Sequence, residues 1–309
     1  MAGEKTSQNE IELKLAVDPK WLSKLASFEM PGWTVIKRKQ KKLANTYYDT
    51  DSLQFLEAGC SLRVREAGDT FTQTLKSDSG SDALHRRIEE NVELPDNHIT
   101  VPRISDPALA EEIGFLFNGD LVPVFQNRFE RLAVELENGR TGSVVEVAFD
   151  KGVVRHGRKQ QSFAELELEL VTGEPSDLYG LAMSFADVAP IYFSGDTKSS
   201  LGYRIGRGIL PDYKVAGIPE LARGMSVAEA MQSVFRNCFG QWIANQAAVL
   251  SDHHPEGVHQ MRVSLRRMRS ALSLFGKFLA DDVRIAANRD FRWAAETLGP
   301  ARDLDVFLA

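Results

Sequence analysis

With 309 residues, 43% of them apolar and 26% charged, the chain is long enough for about two globular domains with a sizeable core. A net charge of −6 gives no overall nucleic-acid signal, so any anion site must come from local clusters of Arg and Lys. Two cysteines far apart, Cys60 and Cys238, exclude a disulfide scaffold and a cysteine zinc site, and the polar start from Met1 to Asn9 has no signal-peptide core. No stretch is apolar for long enough to span a bilayer, and the expected location is cytoplasmic.

In chain order, period-two alternation predicts strands at 10–16, 34–48, 61–66, 70–76, 86–94, 128–137, 143–150 and 162–171. Three X-Pro pairs are expected to open short helices: Asp18-Pro19, Asp106-Pro107 and Glu174-Pro175. Their apolar stripes are Leu22/Leu25, Leu109/Ile113/Leu116 and Leu178/Leu181/Phe185. Residues 206–224, rich in Gly and Pro, read as a linker between a domain at 1–205 and a helical module at 225–309. Ser226 caps a helix reaching about 250, His253-His254-Pro255 marks a break, and further helices are predicted at 256–279 and 281–298. His85, His98 and His156 show no metal-ligand spacing and are expected at the surface. The chain stops at Ala309 in an apolar helical stretch without a stop signal, which suggests truncation.

The strand faces carry the chemistry. In Glu10-Ile11-Glu12-Leu13-Lys14 the charged residues share one face and the apolar residues the other. Arg63 and Arg65 share a face, as do Thr72, Thr74 and Lys76, then Arg87, Glu89, Asn91 and Glu93, then Glu146 and Asp150, then Glu165, Glu167 and Glu169. Any one of these could be an ordinary solvated face. Acids gather on some strands and cations on others, however, and like charges two apart on one face repel. Three amphipathic helices can cover the apolar faces, which turns the charged faces inward. An antiparallel barrel of about eight strands can hold a ligand along its axis. Arg and Lys suit phosphate oxygens, and clustered carboxylates suit hard divalent cations. Both together point to a metal-bound polyphosphate.

The same residues resemble the CYTH domain, the triphosphate tunnel metalloenzymes. Glu10-x-Glu12-x-Lys14 resembles the family's opening signature. Tyr47-Tyr48-Asp49-Thr50, Leu62-Arg63-Val64-Arg65, Thr74-Leu75-Lys76, Arg87-x-Glu89, Arg131, the Glu146–Asp150 strand, Glu165 to Glu169 and Lys198-Ser199-Ser200 follow in the family's order. The resemblance implies an α+β fold, an eight-stranded antiparallel tunnel with short covering helices, followed here by an all-α module. It implies a metal set of Glu10, Glu12, Glu165, Glu167, Glu169 and Asp150 for Mg²⁺ or Mn²⁺. It implies a phosphate set of Lys14, Arg63, Arg65, Lys76, Arg87, Arg131 and Lys198. Glu165, Glu167 and Lys14 would carry catalysis. The expected reaction is hydrolysis of inorganic triphosphate by in-line attack of water, with no covalent intermediate. A class IV-type adenylate cyclase, a thiamine triphosphatase and a non-catalytic polyphosphate binder are the competing readings.

Beyond the linker, Val258-His259-Gln260-Met261-Arg262 with Arg266, Arg267 and Arg269, and later Leu298-Gly299-Pro300-Ala301-Arg302-Asp303, resemble part of a CHAD domain. His259, Arg262, Arg266 and Arg269 fall on one helix face, and the resemblance makes polyphosphate their expected ligand. The expected partners are inorganic triphosphate or polyphosphate, without membrane or nucleic acid.

Overall fold

The computed structural model describes residues 11–77, 88–100, 110–111, 114–194, 197–251 and 254–308. Glu10, Arg87, His85, the Asp106-Pro107 opening and two of its stripe residues, Leu109 and Ile113, lie outside them. The chain divides into two compact units, Met1–Gly208 and Ile209–Ala309.

In the first unit the alternating segments become β1 (Glu12–Val17), β2 (Trp33–Asp49), β3 (Cys60–Ala67), β4 (Thr70–Ser77), β5 (Ile88–Leu94), β6 (Val122–Asn138), β7 (Val144–His156) and β8 (Lys159–Thr172). A ninth strand, β9 (Ile191–Phe193), pairs with β1. The order is β5-β4-β3-β2-β6-β7-β8-β1-β9, and neighbouring strands run antiparallel. The expected eight-stranded closed barrel is therefore corrected to nine strands, with no pairing between β5 and β9 among the described residues. Three residues are too few to show a period of two, so β9 leaves no mark in the sequence.

The two faces of this sheet separate as their side chains dictate. Leu15 and Val17 of β1, Val134 and Leu136 of β6, Val145, Val147 and Phe149 of β7, and Leu166 and Leu168 of β8 form one core. It is covered by Leu22 and Leu25 of α1 (Leu22–Ser27) and by Leu178, Leu181 and Phe185 of α3 (Pro175–Ala186). The helices thus lie on the apolar face, and the acids and bases take the other. Pro175 sits in the first turn of α3, where its missing N–H costs nothing. Asp18 does not cap α1. Its carboxylate accepts from Lys20 N within a preceding turn, and the helix starts later, after Trp21. Leu116 is fully buried in a 3₁₀ turn, Gly114–Asn118, against Phe55 of α2 (Gln54–Glu57) and Leu62 of β3.

Four strand spacings of about 4.8 Å separate β3 from β8 along the sheet. Lys198 and Tyr203, five residues apart on one helix, nevertheless reach Glu165 on β8 and Asp49 on β2, so the sheet curls with its charged face around that helix. One end of that face is sealed by α4 (Lys198–Arg207). Its Leu201 and Tyr203 pack with Tyr47, Phe125 and Val154. Gly202 lets α4 approach: a Cβ there would lie 2.1 Å from the Phe125 ring. His156, expected at the surface, is half-buried and faces Gly206 of the same helix, where a Cβ would meet its ring at 2.5 Å.

The second unit is helical, with α5 (Val227–Leu250), α6 (Pro255–Phe275), α7 (Asp281–Thr297) and α8 (Gly299–Leu308). Ser226 and Glu229 form a reciprocal capping box on α5. The His254 ring accepts from Glu256 N at the start of α6. Cys238, Leu265 and Met268 centre the core, with Trp242, Phe291 and Leu298 around them. The stretch expected to be a linker is held at two points. The buried Asn245 amide accepts from Lys214 N and donates to Lys214 O, and Ser233 donates to Glu220 O. Among the described residues no helix is long and apolar enough to cross a membrane.

Candidate functional site

The charged face is ordered by strand register. Lys14 stands opposite Glu167, Arg131 opposite Asp150, and Lys76 opposite Glu89. Each cross-strand pair closes into an ion pair: Lys14 Nζ lies 3.2 Å from Glu167, and Lys76 contacts Glu89. Arg131 donates to Asp150 through Nε and Nη2, both at 2.7 Å, and also reaches Glu167. This is the bidentate fork that only arginine offers.

Lys198 completes the cluster from outside the sheet. It is the first residue of α4, whose start is fixed by the Thr197–Ser200 capping box. Only 7% exposed, its ammonium lies 2.8 Å from Asp150 and 3.0 Å from Glu167, in contact with Glu165. The Phe129 and Phe163 rings stand 4.9 and 5.4 Å from it. Three acids, Asp150, Glu165 and Glu167, thereby meet three cations, Lys14, Arg131 and Lys198, and their oxygens lie within 4.8 Å of one another. Carboxylate oxygens suit a hard divalent ion, but the Lys198 ammonium already lies within 3.0 Å of all three acids, so they would hold the metal that the resemblance implies only with Lys198 moved aside.

The environment splits the two glutamates. Burial pushes Glu165 up despite Lys198 and Lys14. Burial acts on Glu167 in the same sense, but Lys198, Lys14 and Arg131 outweigh it and hold its carboxyl well below the usual range. Lys198 and Arg131 are both raised, because their carboxylate partners overcome the burial that disfavours charge.

Across the concave face, Arg63 and Arg65 are set differently. Register places Arg63 between Tyr47 and Thr74, and Arg65 between Asn45 and Thr72. Neither forms an ion pair among the described residues. Burial, with Arg63 and Arg131 nearby, pushes the Arg65 guanidinium down to about 10. The Arg63 Nε is buried without a hydrogen-bond partner among the described residues. One wall therefore holds acids in ion pairs, and on the other Arg63 and Arg65 carry no ion pair among the described residues.

Of the six expected metal ligands, the structure gathers Asp150, Glu165 and Glu167. Glu12 and Glu169 face each other across β1 and β8, outside that triad, with Glu12 exposed. Of the phosphate set, Lys14, Arg131 and Lys198 stand at the acids, Arg63 and Arg65 on the facing wall, and Lys76 is exposed beside Glu89. Missed from the sequence were the aromatic seat of Lys198 and the amides of Asn45 and Asn127. The amides lie on the charged face by parity with Arg131, a signal that the β6 alternation does carry. Asp49, in the Tyr-Tyr-Asp-Thr string, is fully buried and accepts from Thr50 N, Phe55 N, Leu56 N and the Tyr203 hydroxyl, which ties α4 to β2.

In the helical unit the expected basic face is largely engaged. Arg262 donates to the Ala295 carbonyl at the end of α7 at 2.6 Å, and Arg269 donates to Asn288 at 3.2 Å. His259 lies 3.9 Å from Glu256, and Arg266 is exposed. Arg267, off that face, is held by Gln241 and Asn237.

A family model for the CYTH domain matches residues 8–200, and one for the CHAD domain matches residues 233–309. An inorganic triphosphatase of Haemophilus influenzae is 31% identical over 205 residues, 64% of this chain and 55% of that protein. The chain thus spans about half the length of that curated relative. Among solved structures, a candidate adenylyl cyclase from Hippeastrum with a dominant triphosphatase activity aligns at TM-score 0.40 and 21% identity, over 63% of this chain and 95% of that one. A candidate adenylate cyclase from Bacillus halodurans aligns at TM-score 0.40 and 19% identity, over 57% and 89%. The family match spans more than half of the chain and contains every strand of the charged sheet: this chain belongs to the CYTH domain family, with a CHAD domain match following.

Proposed function

We propose that the chain hydrolyses inorganic triphosphate, with Mg²⁺ or Mn²⁺, on the concave charged face. The observation that carries this reading is the opposition of two walls: three clustered carboxylates on one, and Arg63 and Arg65, without an ion pair among the described residues, on the other. Three carboxylates in one cluster are a donor set for a divalent cation, which a pure anion binder does not require. A 31% identical inorganic triphosphatase supports the same substrate.

Asp150, Glu165 and Glu167 would hold the metal, which when bound would supply positive charge against the phosphate oxygens. Arg63 and Arg65 grip non-bridging oxygens; a charge-assisted bond there satisfies the buried Arg63 Nε. Lys14, Arg131 and Lys198 fix the carboxylates and balance their charge before substrate arrives. Lys198, mounted on α4, also closes the acid wall against water from the sealed end. Positioning and electrostatics account for the catalysis, and no side chain needs to become a nucleophile.

The deciding assay offers purified protein tripolyphosphate, ATP, thiamine triphosphate and long-chain polyphosphate, each with Mg²⁺, with Mn²⁺ and with EDTA. Phosphate release and cyclic AMP are both scored. Metal-dependent phosphate release with tripolyphosphate preferred is the expected result. Cyclic AMP as the main product, or no turnover of any substrate, would contradict the proposal.

A further inference from the structure

Two buried amides next to the phosphate wall form a line of hydrogen bonds whose direction is fixed. Arg65 Nε donates to Asn45 Oδ1 at 3.0 Å. An arginine nitrogen can only donate, so the Asn45 atom facing it must be the oxygen. The Asn45 nitrogen therefore points on, to Asn127 Oδ1 at 2.6 Å. The group left at the end of the line is Asn127 Nδ2, a donor. It is buried and has no partner among the described residues, on a residue 1% exposed. Buried donors without an acceptor are rare because they forgo water for nothing. The fold keeps this one on the charged face, since Asn127 shares the parity of Phe129 and Arg131 on β6. Its neighbour two residues earlier on that face, Phe125, packs against α4 at the sealed end.

We propose that Asn127 is a substrate-contacting residue, whose Nδ2 donates to a non-bridging oxygen of the phosphate chain at the end sealed by α4. The idea rests on the triphosphatase reading and deepens it. Asn127 and Arg131 are four residues apart on β6, roughly 13 Å at strand rise, so amide and acid cluster touch different phosphates of one chain. Because Arg65 dictates the polarity, Asn127 offers hydrogen and not oxygen. It accepts an anionic oxygen and rejects a divalent cation, which keeps the metal at Asp150, Glu165 and Glu167. Neither charge nor a conspicuous motif marks this contact in the sequence.

The test compares Asn127→Asp, of nearly the same shape, and Asn127→Ser, which is smaller and can still accept from Asn45. Steady-state hydrolysis of tripolyphosphate gives KM and kcat, and thermal melting without ligand reports the fold. The expected result is a KM raised at least about 10-fold in Asn127→Asp, the scale of one lost charge-assisted bond plus a repelling charge. It rises less in Asn127→Ser, and kcat falls by less than about 3-fold in either. A residue that only fastens β2 to β6 would lower the melting temperature and leave KM alone, and that outcome overturns the proposal. If the wild-type protein does not turn over tripolyphosphate, the functional reading fails by itself. Calorimetric titration of tripolyphosphate in EDTA then decides: affinity lost in both variants upholds the contact, and affinity equal to wild type refutes it.

Discussion

At the scale of single residues, the strongest commitments are buried charges that have their partners. Asp49 is the clearest case outside the acid cluster. Its two oxygens accept four hydrogen bonds, at 2.7 and 2.9 Å on Oδ1 and 3.1 and 2.7 Å on Oδ2. Burial and the Asp49 bond together raise the Tyr203 hydroxyl above its ordinary range. Tyr203→Phe removes one donor from a carboxylate that keeps three, so it should cost about 1–2 kcal/mol. Asp49→Ala strands three backbone donors and a hydroxyl and should cost about 3–5 kcal/mol. Urea unfolding of both variants checks the order as well as the sizes. Equal effects would mean that the contact to α4 carries the whole stabilisation. The sequence shows Asp49 only as part of a Tyr-Tyr-Asp-Thr string. Its partner Tyr203 lies 154 residues later, and no local pattern joins the two.

At the scale of elements, the strands were legible because charge and apolarity alternate along them, and α4 was not. Lys14, Arg63, Arg65, Glu165 and Glu167 could each be grouped on a face from period two alone, whereas Arg131 came only from the family resemblance. Lys198 sits in a Lys-Ser-Ser-Leu-Gly run that reads equally as an exposed helix start. What turns it inward is tertiary: Gly202 against Phe125, and Tyr203 against Asp49. Gly202→Ala should therefore destabilise by about 1–3 kcal/mol although alanine favours helices. The Phe125 ring it would meet is stacked on Tyr47 at 4.4 Å and edged by Tyr203 at 5.0 Å, so it has little room to yield. Thr197→Ala should cost about 1 kcal/mol through the lost cap, and more in turnover than in stability, because Lys198 is the next residue. Melting and hydrolysis measured on the same preparation separate these effects. The missed β9 and the turn at Asp18 have the same origin. Three residues, or one Asx-type bond to Lys20 N, are decided by neighbours rather than by periodicity.

At the scale of the whole molecule, two compact units carry separate cores: the sheet with its helices, and the helices around Cys238, Leu265 and Met268. Separate cores predict two calorimetric unfolding transitions. Tripolyphosphate with Mg²⁺ should raise one of them by about 2.7 kcal/mol of stabilisation at 100-fold excess over Kd. A single transition would show that the units unfold together.

The central claim is that acids brought from β7 and β8 to one place hold the metal that makes triphosphate hydrolysis possible. The most direct measurement is turnover of tripolyphosphate, at saturating Mg²⁺ or Mn²⁺, by the Glu165→Gln/Glu167→Gln double variant, with circular dichroism confirming its sheet. Loss of two carboxylates from a three-carboxylate cluster should lower kcat by at least about 10³-fold, equivalent to roughly 4 kcal/mol of barrier. A folded double variant turning over within about tenfold of wild type, less than roughly 1.4 kcal/mol, would contradict it.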